Sequence, residues 1–206
     1  MIDQLSSSQR YKVTFVIIAV NIAAYFYTSF AGGNFLVTQY TYDTFQLAQY
    51  NAAVFEGAYY QLFTAMFIHS DIVHLAGNML FLLIFGLRGE EMFSLPEYLG
   101  IYILGGLAGN VLSLALGPSL ISVGASGAIF AMFGACAIYA RRSIGQSIVG
   151  ALVFGFFLLV ISSGENTNYF AHIGGLVAGL AIGYFFARRR KPRVGYQIRY
   201  SYTTPF

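Results

Sequence analysis

The sequence predicts an all-α, polytopic membrane protein in which six helices cross the bilayer. Hydrophobic residues make up 57% of the 206 residues and charged residues only 9%, which leaves too few charges to cover a surface that faces water. Most apolar residues lie in runs close to the roughly 20 helical residues that a hydrocarbon core about 30 Å thick requires. The charges gather between these runs. A chain with these three features has lipid as its main solvent.

Six apolar runs follow one another, and each is expected to form one membrane-spanning helix. They cover residues 13–31, 72–87, 95–117, 124–141, 145–163 and 169–188. The second run is short for a span, and the fourth opens at Gly124-Ala125-Ser126-Gly127. Short or glycine-interrupted spans are tolerated where protein or a water-filled cavity covers them, so both runs indicate a wet pocket. We interpret residues 13–188 as one six-span domain between an N-terminal segment (1–12) and a basic tail (189–206).

The first run follows Arg10 and Lys12, which is also typical of a signal peptide. No clean A-x-A cleavage site closes the run, so we interpret it as a retained span. The connection that follows, about residues 32–71, is rich in Tyr and Phe. A structureless loop of that length is uncommon in a compact protein. We therefore expect amphipathic pieces that lie in the membrane interface.

The positive charges predict how the protein is oriented in the membrane. All eleven lie before the first span or after the second, fourth or sixth, which is the same side when the number of spans is even. They are Arg10, Lys12, Arg88, Arg141, Arg142, Arg188, Arg189, Arg190, Lys191, Arg193 and Arg199. The positive-inside rule then places both termini in the cytoplasm. We expect the protein to lie in the plasma membrane. The net charge of +3 is explained by topology, and we find no nucleic-acid patch.

The same orientation brings three polar side chains into the membrane from the outer side. His74 begins the second span, Ser126 the fourth and His172 the sixth. A serine hydroxyl is a weak nucleophile until a base removes its proton, and histidine is the usual base near neutral pH. His172 lies 172 − 126 = 46 residues after Ser126. Because no Asp or Glu lies well inside any span, the pattern predicts a Ser-His dyad rather than a triad.

Acyl transfer also needs donors for the developing oxyanion. His74 and Asn78 are spaced i and i+4 on one face of the second span. The backbone amide of Ser126, at a helix N-terminus, is a further free donor. Gly124 and Gly127 allow backbone and substrate to approach closely.

Small residues predict that the fourth and sixth spans are in contact. Gly175, Gly179 and Gly183 follow His172 on one helix face. The fourth span has a similar face of Gly127, Ala131, Gly134 and Ala135. Such faces bring membrane helices together, which would place His172 beside Ser126.

Each motif also has a structural interpretation. GxSG alone is a weak signal, because small residues are common at helix interfaces, and Ala128 excludes the G-x-S-x-G elbow of soluble hydrolases. A metal site of His69, His74 and His172 is disfavoured because neither a carboxylate nor a thiol joins them. We expect His69 to lie in a solvated loop end with a structural role, and the single Cys136 to be a small buried hydrophobe.

In their order and spacing, these motifs resemble those of the rhomboid family of intramembrane serine proteases. The resemblance covers about Tyr59 to Arg188. LFTAMFIHSDIVHLAGNMLFLLIFGLRGEE is similar to the family's second-span pattern, GASG matches its nucleophile motif at Ser126, and AHIGGLVAG matches its histidine motif at His172.

The resemblance implies a catalytic dyad of Ser126 and His172, with His74, Asn78 and the Ser126 amide around the oxyanion. It implies that Phe130 packs beneath the His172 ring, and that neither a metal nor another cofactor is needed. Family members cleave single-span membrane proteins in or next to the transmembrane segment. The fifth span and the loop after it would act as gate and cap. One departure is that Tyr60-Gln61 stand where many bacterial members have Trp-Arg, and this chain has no tryptophan.

Two other functions compete with this interpretation. A catalytically inactive rhomboid-like protein would bind membrane-protein clients without cleaving them, although the intact Ser126 and His172 argue against it. A small transporter would be expected to carry paired intramembrane charges or inverted repeats, and the sequence shows neither. The oligomeric state is left open.

Overall fold

In the part of the chain that the structure describes, long helices are accompanied by short helices and turns and by two short strands. The computed structural model describes residues 12–33, 36, 42–144 and 167–189. In chain order its elements are α1 (Lys12–Gly32), α2 (Tyr42–Leu47), β1 (Gln49–Tyr50), α3 (Asn51–Phe55), α4 (Gln61–Thr64), a 3-10 turn (Ala65–Phe67), α5 (Ile72–Met92), α6 (Leu95–Ser113), a second 3-10 turn (Leu114–Leu116), β2 (Ile121–Ser122), α7 (Ser126–Ile144) and α8 (Tyr169–Arg189).

Four helical segments of the described chain are long and apolar enough to cross a membrane: Lys12–Phe30, Ile72–Met92, Leu95–Leu116 and Tyr169–Arg189. A shorter apolar stretch, Ser126–Ala140, belongs to α7. These segments coincide with the first, second, third, sixth and fourth predicted spans. The predicted fifth span (145–163), like most of the basic tail, lies outside the described residues, so the count of six spans stays a prediction.

Two predicted span boundaries are wrong for identifiable reasons. The second span is not short, because α5 continues through the charged residues as far as Met92. Arg88 pairs with Glu91 one turn later, and Glu90 accepts a hydrogen bond from the Thr14 amide at 2.7 Å. The fourth span begins at Ser126, because the φ of +123° at Gly124 is incompatible with a helix.

The helix α7 occupies the centre of the described bundle. Each of residues 127–136 is buried, and the helix packs against α5, α6 and α8, while α1 packs on the outside of α5. Aromatic and aliphatic side chains of α5, α6 and α7 form the core. Prominent members are Leu82, Phe85, Tyr98, Ile101, Tyr102, Ile129, Phe130 and Met132.

The loop between α1 and α5 is ordered by hydrogen bonds over the residues that are described. Strand β1 pairs with β2 in antiparallel register, with Gln49 opposite Ser122, so the all-α prediction misses one small sheet. Gln61 is buried and accepts from the Tyr50 amide at 3.0 Å. The side-chain amide of Gln61 also donates to the Gln46 carbonyl at 3.2 Å. The prediction of structured pieces is confirmed, whereas their position in the membrane interface stays a prediction.

One end of the bundle gathers every Lys and Arg whose side chain is described. The Thr14–Glu90 hydrogen bond joins the start of α1 to the end of α5. The Phe93 ring contacts Tyr139 of α7 and Phe186 of α8, with centroids 5.2 and 6.2 Å away. Lys12, Arg88, Arg188 and Arg189 therefore share this end, and the starts of α5, α7 and α8 lie at the other.

Candidate active site

The hydroxyl of Ser126 and the imidazole of His172 are in hydrogen-bond contact. Ser126 Oγ lies 2.8 Å from His172 Nε2. Ser126 is the first residue of α7, and His172 lies in the first turn of α8. Stacking fixes the imidazole plane, since the Phe130 ring lies 4.6 Å away at 25°. The Tyr169 ring meets the His172 ring edge-on at 6.5 Å and 75°.

Small residues allow the two helices to approach this closely. A Cβ atom on Gly175 would collide with the Gly127 carbonyl, and one on Gly179 would collide with the backbone of Ala131. The predicted contact between the fourth and sixth spans is confirmed. Because the α7 and α8 backbones touch directly, the two catalytic candidates are brought together by packing that begins at Gly127, next to Ser126, and at Gly175, within one turn of His172.

His172 is equipped to act as a base through Nε2. Its side chain is buried, and Nδ1 has no hydrogen-bond partner among the described residues. In the described part of the chain the site is therefore a pair of residues, without a carboxylate on the far side of the imidazole. A neutral ring with its proton on Nδ1 accepts the Ser126 hydroxyl proton at Nε2, which is the arrangement that activates a serine.

Gly124 and His74 form the wall beside the serine. A Cβ on Gly124 would lie 2.9 Å from His74 Nε2 and 3.8 Å from Ser126 Oγ. The Gly124 amide donates to the Ala65 carbonyl at 2.9 Å, which holds this turn in place. The positive φ and the close imidazole both require glycine here.

The side chain of Asn78 is buried one turn after His74. Its recorded hydrogen bond is the donation from Nδ2 to the His74 carbonyl at 3.0 Å, so this bond stays within α5. The structure thus brings Ser126, His172, His74 and Gly124 together, and Asn78 lies one turn beyond His74 in α5. The first amides of α7 have no acceptor within their helix, as at any helix start.

Asp71 and Ser70 orient the His74 ring. Asp71 caps α5 by accepting from the His74 amide at 2.7 Å, and it accepts from the Ser70 hydroxyl at 2.8 Å. Burial opposes ionisation of Asp71, but these hydrogen bonds outweigh it and lower its pKa. Ser70 has only one proton and gives it to this carboxylate. The contact of 3.1 Å between Ser70 Oγ and His74 Nδ1 therefore places a proton on Nδ1, and Nε2 donates only when the ring is doubly protonated.

The solvated position predicted for His69 is wrong. The residue is 0% exposed, and neither ring nitrogen has a hydrogen-bond partner among the described residues. Its ring meets that of His74 edge-on at 5.1 Å. Burial, and to a smaller extent the neighbouring His74, lowers the pKa of His69 to about 3, so the ring is neutral at physiological pH.

Residues that support the site and were not identified from the sequence include Asp71, Asn168 and Tyr169. Asp71 stands three residues before His74, and Asn168 three before Ala171. This is the spacing at which a side chain caps the start of a helix. That signal is present in the sequence, but it says nothing about proximity to a catalytic group.

Comparison with known proteins agrees with this geometry. A family model described as the Rhomboid domain matches residues 56–189. The chain is 34% identical over 144 residues to RHOMBOID-like protein 6, mitochondrial, of Arabidopsis thaliana, covering 67% of this chain and 46% of that protein. It is 33% identical over 177 residues to Rhomboid protease GluP of Bacillus subtilis (strain 168), covering 81% of this chain and 33% of GluP. It is also 30% identical over 131 residues to Rhomboid-like protease 3 of Toxoplasma gondii, covering 60% of this chain and 50% of that protein.

The fold and site thus define a polytopic helical membrane protein with a serine and a histidine in contact at one end. The chain belongs to the rhomboid family. Its matched region spans 46%, 36% and 48% of three Arabidopsis relatives, so it corresponds to half or less of those proteins.

Proposed function

We propose that this protein is an intramembrane serine endopeptidase. It hydrolyses peptide bonds in or near the transmembrane segments of single-span membrane proteins, with Ser126 as nucleophile and His172 as base. The observation that carries the proposal is the 2.8 Å contact between Ser126 Oγ and His172 Nε2. It is supported by relatives whose names include protease, in Bacillus subtilis and Toxoplasma gondii.

The proposed reaction proceeds in two halves. Ser126 Oγ attacks the scissile carbonyl carbon while its proton moves to His172 Nε2, and the protonated imidazole then gives this proton to the leaving amine. The oxygen of a water molecule then attacks the acyl carbon while its proton moves to the same nitrogen. The bond between the acyl carbon and Ser126 Oγ breaks, and the proton returns from His172 Nε2 to Ser126 Oγ. Stacking on Phe130 holds the orientation of the His172 ring during these proton transfers. Because misaligned groups react slowly, this restraint favours both halves of the reaction.

The oxyanion would form where the start of α7 faces His74. The Ser126 amide donates in every protonation state, because a backbone N–H does not titrate at these pH values. His74 adds a donor from Nε2 when its ring carries both protons, with Ser70 accepting from Nδ1 and Asp71 accepting from Ser70. Asn78 contributes by turning its amide from the His74 carbonyl toward the oxyanion. Removing one such donor usually lowers kcat by about 10²–10³-fold, and Asn78→Ala belongs at the mild end because other donors remain.

The proposal places the protein in the plasma membrane with its active site open to the outer side. Its support is the gathering of described cations at the end of the bundle opposite Ser126, together with the positive-inside rule. The partners are the lipid bilayer and single-span membrane proteins.

The decisive experiment compares the wild-type protein with Ser126→Ala and His172→Ala in liposomes that contain a single-span substrate. We expect each variant to lose at least about 10³-fold in cleavage rate while keeping the thermal unfolding midpoint of the wild type in detergent. A serine-directed fluorophosphonate probe should label only proteins that retain Ser126. Cleavage by Ser126→Ala at the wild-type rate would overturn the proposal.

The alternative function is client binding by an inactive member of the family. It takes support from the Arabidopsis relatives, whose names say rhomboid-like without protease. Co-purification of the single-span substrate with uncleaved wild-type protein, without fluorophosphonate labelling, would favour this function.

A further inference from the structure

We propose that Asn168 is the positioning residue of the Ser126–His172 pair. In this inference, which rests on the proposed function, Asn168 fixes the distance between the two catalytic side chains by joining the start of α8 to the strand that precedes α7. Neither Ser113 nor Ser122, which accept hydrogen bonds from the Asn168 side chain, was among the sequence-predicted site residues.

The side chain of Asn168 uses both of its N–H donors and its carbonyl oxygen in hydrogen bonds. Its Nδ2 donates to Ser113 Oγ at 2.7 Å and to Ser122 Oγ at 2.9 Å. Its Oδ1 accepts from the Ala171 amide at 3.1 Å, which is the bond that caps the start of a helix. These contacts determine the orientation of the amide, because exchanging its oxygen and nitrogen would place two donors face to face at Ala171.

The Asn168 side chain, with Ser113 and Ser122, forms a junction between α8, α6 and β2. Within this junction, Ser122 and Asn168 are equally far along the chain from the catalytic residues that follow them. Ser122 lies four residues before Ser126, and Asn168 lies four residues before His172. The Asn168–Ser122 hydrogen bond therefore ties together the segments that lead directly into the nucleophile and the base. The Asn168 carbonyl also accepts from the His172 amide at 3.3 Å, so movement of Asn168 is transmitted to the base through one helical turn.

The contact with Ser113 of α6 explains why the side chain at position 168 is an amide. The Ser113 hydroxyl donates to the Gly109 carbonyl at 2.9 Å, so it offers Asn168 only lone pairs. Position 168 must therefore donate toward α6 and accept from α8 at the same time. A carboxylate of equal size satisfies the helix cap and fails on the α6 side.

Asn168 acts through His172, because its recorded contacts are with the junction and none is with Ser126 Oγ or the His172 ring. The effect expected of such a residue is on alignment. A misplacement of about 1 Å between reacting groups can lower the rate about 10²-fold. Substrate binding, which depends on other surfaces, should change little.

The test measures kcat and KM for Asn168→Ala and Asn168→Asp in liposomes that contain the single-span substrate. We expect kcat to fall about 10- to 100-fold in both variants, with KM within about twofold of the wild type. Asn168→Asp keeps the cap at Ala171 and should unfold closer to the wild-type temperature, so its loss of kcat separates alignment from stability. In the double variant Asn168→Ala/Ser122→Ala, kcat should fall by less than the product of the two single fold-losses, because both substitutions break the same hydrogen bond.

Asn21→Ala is the matched control. Asn21 is also a buried asparagine, and its side chain donates to the Ile17 carbonyl at 2.8 Å within α1. The control should lower the unfolding midpoint while keeping kcat near the wild-type value.

A second readout does not require catalysis. The chain has three histidines, so nitrogen-15 labelling of histidine gives a resolvable Nε2 signal for His172. Ser126→Ala shifts this signal by removing its partner, and Asn168→Asp should shift it the same way. If the wild type does not cleave but both shifts occur, the positioning role stands and the proposed function fails. If the wild type cleaves while Asn168→Ala and Asn168→Asp keep wild-type kcat and His172 signals, the positioning role is overturned.

Discussion

His69 is the residue whose surroundings differ most from those expected from its neighbours in the chain. It is followed by the polar Ser70 and Asp71, which suggested a solvated loop end. In the structure, the turn after the Ala65–Phe67 3-10 segment carries the ring inward against His74. Local polarity cannot reveal this, because burial depends on which distant segments cover the turn.

A buried neutral histidine makes stability depend on pH. The folded pKa of His69, about 3, lies below its usual value of about 6.5, so the unfolded state binds the proton more readily. The contribution of the neutral His69 ring to the free energy of unfolding is complete above pH 6.5. It is lost as the pH falls from 6.5 toward 3, by at most about 1.4 kcal/mol per pH unit. We expect His69→Gln to flatten the decline of the unfolding midpoint in detergent over this range. An equally steep decline in the variant would contradict the assignment, since the other two histidines are common to both proteins.

Catalytic residue types were easier to predict than the residues that hold them. Ser126 and His172 stand out because polar groups are rare in apolar runs and are usually functional there. Asp71 and Asn168 lie among other polar residues at helix starts. Their partners are Ser70 and His74 for the first, and Ser113, Ser122 and the Ala171 amide for the second. Only spatial neighbours that are distant in sequence distinguish Asn168 from any other helix cap.

At the level of elements, the contact between α7 and α8 is the feature most directly encoded in the sequence. Glycines spaced by three and four residues leave one helix face without side chains. In the structure this face lies directly on the α7 backbone, where Gly175, Gly179 and Gly183 meet Gly127, Ala131 and Ala135. The periodicity of the glycines was sufficient to predict the pairing of these helices.

Widening this contact should disturb both stability and catalysis. A Cβ on Gly179 would collide with the backbone of Ala131, so Gly179→Ala forces α7 and α8 apart at a cost of about 1–3 kcal/mol. We expect a lower unfolding midpoint and a lower cleavage rate, because Ser126 and His172 sit on the separated helices.

Gly100→Ala is the control for this change. Gly100 also lies in a long helix, α6, and an added Cβ would have nothing within 4 Å. Its midpoint should be unchanged or slightly higher, because alanine favours helix over glycine. Equal effects of the two substitutions would mean that the small-residue face does not control helix separation.

Other helix boundaries are accompanied by one tertiary contact and by local pairs spaced three residues apart. The helix α5 continues beyond its apolar run because Glu90 caps α1 through the Thr14 amide and Arg88 pairs with Glu91. Helix α6 starts as local rules predict, since the Ser94 amide and hydroxyl both donate to the Glu97 carboxylate, at 2.8 and 2.9 Å.

On the scale of the whole molecule, charge separates the two ends of the bundle. Lys12, Arg88, Arg188 and Arg189 lie at one end, and the Ser126–His172 pair lies at the other. Arg189 also lies over the Phe185 ring at 4.0 Å. Such an asymmetry favours one orientation, because cations are retained on the cytoplasmic side during insertion.

Fusion reporters test this orientation. Green fluorescent protein attached after Phe206 should fluoresce in bacterial cells, and alkaline phosphatase attached there should be inactive, because both termini are expected in the cytoplasm. The control is the same pair of reporters on a chain truncated after Gly117, where an odd number of spans should reverse the result. Active phosphatase after Phe206 would contradict the cytoplasmic C-terminus, and the reporters after Gly117 would then show whether the orientation or the even number of spans is wrong.

The sequence by itself determined the helical membrane class, the approximate positions of the described spans, and the serine and histidine that are candidates for chemistry. These follow from hydrophobicity, charge and residue spacing, which are properties of the chain that exist before folding. Only the tertiary structure decided that Ser126 and His172 are 2.8 Å apart, that His69 is enclosed, and that Asn168 joins three separate segments. Each of these depends on contacts between residues far apart along the chain, whose geometry arises only when the helices pack.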